Sequence, residues 1–206
     1  MHYLDLKTQL NDFPIFSIKD IEKIDPSFHS QRLSEWQKKG LVIKLVKGFY
    51  IFSDLPINES ILFILSNRMC DPSYVSLEMA LSIHGVIPEG VYSVTSVTSL
   101  RTRKIMTPIG NFIYRHVPAK LMFGYELKLF NGHNYKIAVI EKAILDYLYV
   151  NPKMDNGYSF EGTRFAVTDL KDKINTDVFA KYLEAFNNKA LEKRAQAFLT
   201  YIKNYA

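Results

Sequence analysis

The stretch Leu41–Phe52, LVIKLVKGFYIF, constrains the fold of this chain more than any other. Ten of its twelve side chains suit a protein core, and the exceptions are Lys44 and Lys47. Val46-Lys47-Gly48 interrupts the run, and a glycine there supplies the positive φ that a tight turn needs. The stretch is predicted to be a two-stranded hairpin with Leu41, Ile43, Phe49 and Ile51 turned inward. A hairpin this apolar has to be covered by other elements. It directly follows RLSEWQKKG, which reads as the end of a basic helix.

The residues before it supply helices. Residues 3–10 are predicted as a first helix with Leu4 and Leu10 inward, and Phe13-Pro14 breaks the pattern. Ser17 is an N-cap for IKDIEKI, and Asp20 completes a capping box with Asp in place of Glu. Ile18, Ile21 and Ile24 share one face of that helix, and Asp25-Pro26 ends it. A further helix is predicted from near Ser27 to Lys39, with Phe28, Leu33 and Trp36 inward and Gly40 as its stop. Helix, helix, tight turn, helix, hairpin is the order of a winged helix-turn-helix domain.

Ser53-Asp54-Leu55-Pro56 reads as a linker. Beyond it, residues 57–70 and Ser76–His84 are predicted helices, the second capped by Ser76 and stopped by Gly85. Residues 91–98, 109–117, 125–130 and 135–140 are predicted strands. The last two flank Asn131-Gly132-His133-Asn134, a hairpin turn signal. Helices are predicted again over Glu141–Tyr149, Thr176–Asn187 and Lys189–Lys203. The fold class is therefore α+β: a winged helix over residues 1–53, then a larger mixed α+β domain with C-terminal helices over residues 57–206.

The net charge of +5 permits nucleic-acid binding without demanding it. Its distribution is more informative. Between Ser27 and Phe52 stand Arg32, Lys38, Lys39, Lys44 and Lys47 against the single acid Glu35. Residues 1–26 carry three lysines against five acids. In a DNA-binding reading, Ser27, His29, Ser30 and Arg32 occupy the first turns of a recognition helix, where short or forked polar side chains meet base edges or phosphates. Lys38 and Lys39 lie towards the backbone, and Lys44 and Lys47 reach from the wing to an adjacent phosphate row. Arg101, Arg103 and Lys104 form a basic loop between two predicted strands. With Arg115 nearby, they make a possible second patch for nucleic acid or an acidic partner.

Other chemistries find little support. One cysteine, Cys70, permits no intrachain disulfide, and the five histidines show no metal spacing. No glycine-rich phosphate loop is present, so no cofactor and no metal are expected. The N-terminus does not read as a signal peptide, and no apolar run reaches the ~20 residues needed to span a bilayer. A cytoplasmic location with no membrane partner is the expectation. Glu126-Leu127-Lys128 has the Glu-x-Lys spacing of a metal-dependent nuclease. The upstream acids available to it are Glu78, in a predicted helix, and Glu89, before the strands. The constellation is incomplete, so no catalytic residues and no enzyme activity are expected.

Four segments carry a family resemblance: DPSYVSLEMALSIHGVIPE (71–89), SVTSVTSLRTRKI, GNFIYRHV and EKAILDYL. With RLSEWQKKGLVIKLVKGFYIF, they make the chain resemble the antitoxins of abortive-infection type IV toxin–antitoxin systems, which are winged-helix transcriptional regulators. The resemblance spans roughly residues 15–150 and departs at Ile140, where the family usually has proline. It implies an autorepressor that binds inverted repeats of double-stranded DNA at its own operator. It also implies a phage-defence antitoxin that counteracts a nucleotidyltransferase-like toxin without a stable complex. The rival readings are a winged-helix regulator with a sensing second domain, or a protein-interaction module, neither with a toxin partner.

Overall fold

The computed structural model describes residues 1–88 and 90–205, with the side chains of 168, 169 and 205 left aside. The chain opens with α1 (Tyr3–Leu10), β1 (Phe16–Ser17), α2 (Ile18–Ile24) and α3 (Gln31–Lys38). The predicted hairpin follows as β2 (Val42–Val46) and β3 (Phe49–Phe52), with Gly48 at φ +89° in its turn. The capping box at Ser17 is formed: Asp20 N–H donates to Ser17 Oγ, and Ser17 N–H returns to Asp20 Oδ2 at 2.9 Å. β1 was not foreseen. Two residues are too few to show a period, yet they pair antiparallel with β3 and complete a three-stranded sheet of order β1-β3-β2.

Three expectations need correction in this region. Leu6 and Leu10 are the buried residues of α1, whereas Leu4 is exposed. Leu4 lies roughly 200° around the helix from Leu6, so it cannot share that face. The third helix starts at Gln31 rather than near Ser27, because Asp25 Oδ1 accepts both the N–H and the hydroxyl of Ser27 and holds the chain in a turn. The hairpin also lacks the single inward face expected of it. Val42, Tyr50 and Phe52 join the cluster of Leu6, Phe16, Ile21, Leu33 and Trp36. Leu45 and Ile51 face the opposite way into the main core, and Ile43, Val46 and Phe49 pack against that core. Of the four residues expected inward, only Ile51 is fully buried. The high apolar content of LVIKLVKGFYIF follows from this: both faces of the hairpin are covered.

The rest of the chain builds a six-stranded mixed sheet. Its strands are β4 (Ser73–Val75), β5 (Ser93–Thr98), β6 (Arg103–Thr107), β7 (Gly110–His116), β8 (Tyr125–Phe130) and β9 (His133–Ala138), in the order β6-β7-β5-β4-β9-β8. β5 runs parallel to β7 and β4 parallel to β9, and the other neighbours are antiparallel. β4 and β6 were missed in the sequence, the first because it is three residues long and the second because Arg103 and Lys104 read as loop. One face of the sheet carries α4 (Glu59–Met69), capped by Asn58, and the hairpin, whose β2 packs beside β6. The other carries α5 (Leu77–Ile83) and α6 (Ile140–Val150); α9 (Thr176–Phe186) and α10 (Lys189–Tyr205) pack with α6, and α7 (Gly157–Gly162) and α8 (Val167–Lys173) pack with α10. The alternation of side chains makes the assignment. Ser96 and Tyr114 meet Ser66 of α4, while Tyr74, on the opposite pleat, meets Asp146 of α6.

Candidate nucleic-acid interface

The four lysines expected at the helix end and on the hairpin are all exposed. Lys38 and Lys39 end α3, Lys44 stands opposite Tyr50 on β2, and Lys47 is in the turn. Among the described residues, none of the four forms an ion pair. His29 is exposed in the turn before α3, and Ser30 is its N-cap residue without a side-chain capping bond. Two members of the expected set are engaged elsewhere. Ser27 donates its hydroxyl to Asp25 at 2.6 Å, and that bond is the main reason Asp25 lies below the ordinary carboxylate range. Arg32 is half-buried and donates Nη1 to the carbonyl of Met1. It braces α3 against the start of the chain, so it is not aimed outward from the helix.

The second basic patch does not form as one loop. Arg101 is exposed in the β5–β6 connection, but Arg103 and Lys104 are consecutive on β6 and point to opposite sides of it. Arg103 donates Nη2 to Met69 O at 3.2 Å and lies over the Tyr114 ring at 5.5 Å. Arg115 sits on the opposite face, where its Nη2 reaches Val150 O at 3.1 Å. The pleat separates what adjacent letters suggested was a cluster.

The segments around Tyr74 and around Asp146 meet at a site the sequence did not reveal. Asp146 Oδ2 accepts from Tyr74 OH at 2.8 Å and from Ser76 Oγ at 2.9 Å, and Asp146 Oδ1 accepts from Lys142 Nζ. Ser76 was expected to cap its helix; its hydroxyl goes to Asp146 instead. All four side chains are buried. The Lys142 ammonium is enclosed by the rings of Phe186, Phe123 and Tyr74 at 4.7, 4.9 and 5.5 Å. Burial pulls the Lys142 ammonium down against the opposing pull of Asp146, and burial raises the Asp146 carboxyl although Lys142, Tyr74 and Ser76 all favour its charge. Burial, and next the Asp146 charge, hold the Tyr74 phenol well above its usual value. Gly124 lets Lys142 in: its φ is +69°, and a Cβ there would stand 2.9 Å from Lys142 Cγ. Buried throughout, this cluster ties the β4–α5 segment to α6.

Next to it, Leu77 holds φ +59° although it is a buried leucine. Thr95 fixes it, donating Oγ1 to Ser76 O at 2.8 Å and accepting Met79 N–H at 2.9 Å. Leu77 and Thr95 line a cavity of about 640 Å³ that also presents Glu78, Arg115 and Tyr147. Burial raises the Tyr147 phenol, with a Thr163 hydrogen bond opposing.

Glu126 and Lys128, the pair with nuclease spacing, form a 2.8 Å ion pair with each other on an exposed strand. Glu78 lies at the cavity, and Glu89 lies outside the described residues. Among the described residues no three His, Cys, Asp or Glu side chains are grouped to hold a metal ion, and no helix is long and apolar enough to cross a membrane. Fold and surface together define a mixed α+β chain whose helical N-terminal unit is seated through its hairpin on a six-stranded sheet. No protein-family model matches this chain, and no curated protein matches it.

Proposed function

We propose that the chain is a DNA-binding transcriptional autorepressor and the antitoxin of an abortive-infection type IV system. The observation that carries the DNA half is the set Lys38, Lys39, Lys44 and Lys47. These cations are exposed and free of carboxylates, and they stand on the end of one helix and on the hairpin that follows it. A helix–strand–helix–helix–hairpin order with cations in these places suits a winged helix, with α3 in a groove and the hairpin on the neighbouring phosphates. The antitoxin half rests on the resemblance. What supports it is that the Tyr74–Ser76 and Lys142–Asp146 segments, quoted for that resemblance, are bound to one another in the core.

The test is a titration of the chain's own upstream DNA at several salt concentrations. A combined Lys38, Lys39, Lys44 and Lys47 to Ala variant should lose most of its affinity, and log K of the unaltered chain should fall steeply with log salt. An unchanged titration would overturn the assignment. Co-expression with a neighbouring nucleotidyltransferase-like gene tests the other half: growth arrest should be relieved, and unrelieved arrest would remove the antitoxin role.

One observation favours a second reading, a regulator that senses a small ligand and has no toxin partner. The cavity floored by Leu77 presents an acid and a base, Glu78 and Arg115, to the same space.

A further inference from the structure

β8 ends the six-stranded sheet, and among the described residues no strand pairs with its outer side. Edge strands of this kind invite a further strand, and proteins commonly guard them with charged side chains, proline or a bulge. β8 reads Tyr125-Glu126-Leu127-Lys128-Leu129-Phe130, with neither proline nor bulge, and its two charges are of opposite sign, so they repel a strand of like charge but not one that matches them. It holds this acid and base symmetrically about Leu127. Leu127 and Leu129, on the opposite pleat from that pair, are 61 % and 71 % exposed.

The hydrogen-bond phase of the strand decides which backbone groups are free. Val139 N–H donates to Gly124 O at 3.0 Å, just before β8, and the two-residue turn Asn131-Gly132 closes the far end with Phe130 opposite His133. Pairing residues in an antiparallel ladder alternate, so Gly124, Glu126, Lys128 and Phe130 direct their backbone groups at β9. Tyr125, Leu127 and Leu129 therefore direct theirs outward, to the open edge.

We infer that β8 is a homodimer interface in which the same strand of a second copy pairs antiparallel to it about Leu127. In that register Leu127 faces Leu127 of the other copy, and Tyr125 faces Leu129 twice. All three are hydrogen-bonding pairs, as their outward backbone groups require. Glu126 faces Lys128 twice, in the closer non-hydrogen-bonded positions where cross-strand side chains approach most. The ion pair within one chain is thereby replaced by two between chains. Shifting the partner by two residues in either direction breaks both charge matches. The arrangement is isologous and closes on itself as a two-fold dimer. It holds whether or not the N-terminal unit binds DNA.

The test uses the full chain in sedimentation equilibrium or light scattering. The unaltered chain is expected at twice the mass of one chain. Glu126→Lys leaves only lysines at the two positions and Lys128→Glu only glutamates, so each variant alone should dissociate by roughly tenfold or more relative to the unaltered chain. Mixed together, the two variants should recover a dimer of one copy each, which neither a misfolded chain nor a different interface would do. Leu127→Pro removes only an outward N–H, leaves the β9 ladder intact and should give a folded monomer. The inference is overturned if the unaltered chain stays monomeric up to about 0.1 mM, the range of a weak contact. It is equally overturned if the single reversals associate as tightly as the unaltered chain, or if their mixture does not recover.

Discussion

Lys142 and Asp146, one turn apart on α6, form an ion pair in which neither side chain reaches solvent. Water cannot compensate either charge, so each depends on the other and on the groups around it. Removing one partner leaves an uncompensated buried charge, at a cost of about 3–5 kcal/mol. Lys142→Met and Asp146→Leu should each lower stability by that order, and the double substitution by less than their sum. Tyr74→Phe removes only one hydrogen bond to the carboxylate and should cost about 1–3 kcal/mol. Urea unfolding of the four chains checks the order.

Ser17 and Asp20 give a pH-dependent contribution. Burial works to raise the Asp20 carboxyl, but hydrogen bonds from Ser17 and the charges of Arg68 and Lys23 outweigh it, and the net shift is downward. A lowered carboxylate stabilises the fold above its unfolded pKa, and that contribution is lost as pH falls through the folded value. Ser17→Ala should therefore cost about 1 kcal/mol at neutral pH as a lost N-cap. The gap to the unaltered chain should narrow as thermal melts are taken to acid pH, because the share carried by the Ser17–Asp20 hydrogen bonds is lost as pH falls below the ordinary carboxylate range and through the lowered folded value.

If the exposed lysines hold phosphates, each removed contact should lower the slope of log K against log salt by about 0.9. Lys44→Ala and Lys47→Ala are expected to do so. Arg115→Ala should leave the slope unchanged, because that side chain is tied to Val150 O on the far face of the sheet. An equal effect at Arg115 would move the interface away from the hairpin.

Trp36 is the one tryptophan of the chain and lies in the N-terminal cluster, so its fluorescence reports on that cluster alone. Because the hairpin belongs to both clusters, melting followed by Trp36 should coincide with melting followed by far-UV circular dichroism. Leu45→Ala removes a contact on the hairpin's other side and should cost about 2–5 kcal/mol. It should also separate the two curves, with Trp36 melting first.

Local signals were legible in the sequence where chemistry acts over a few residues. The Ser17 capping box, the glycine turn at Gly48 and the Asn131-Gly132 hairpin all stand where their letters place them. Signals that depend on distant partners were not legible. Ser76 reads as a helix cap until Asp146, 70 residues away in sequence, arrives to take its hydroxyl. Arg103 reads as loop until β7 pairs with it, and Arg32 reads as a groove-facing cation until the Met1 carbonyl claims it. The hairpin's buried set depends on distant partners in the same way: alternation predicts one wet face and one dry, and the sheet beneath makes both dry.

That two-sided hairpin bears on how such a chain can be rebuilt. A graft of residues 1–53 onto another host would carry Leu45 and Ile51 as a bare flank, and the trimmed remainder would lose the cover over the Ile105 edge. Neither half is a detachable cassette. Whatever the N-terminal unit recognises and whatever the sheet does are inherited together, and a substitution that suits one is filtered by its fit to the other.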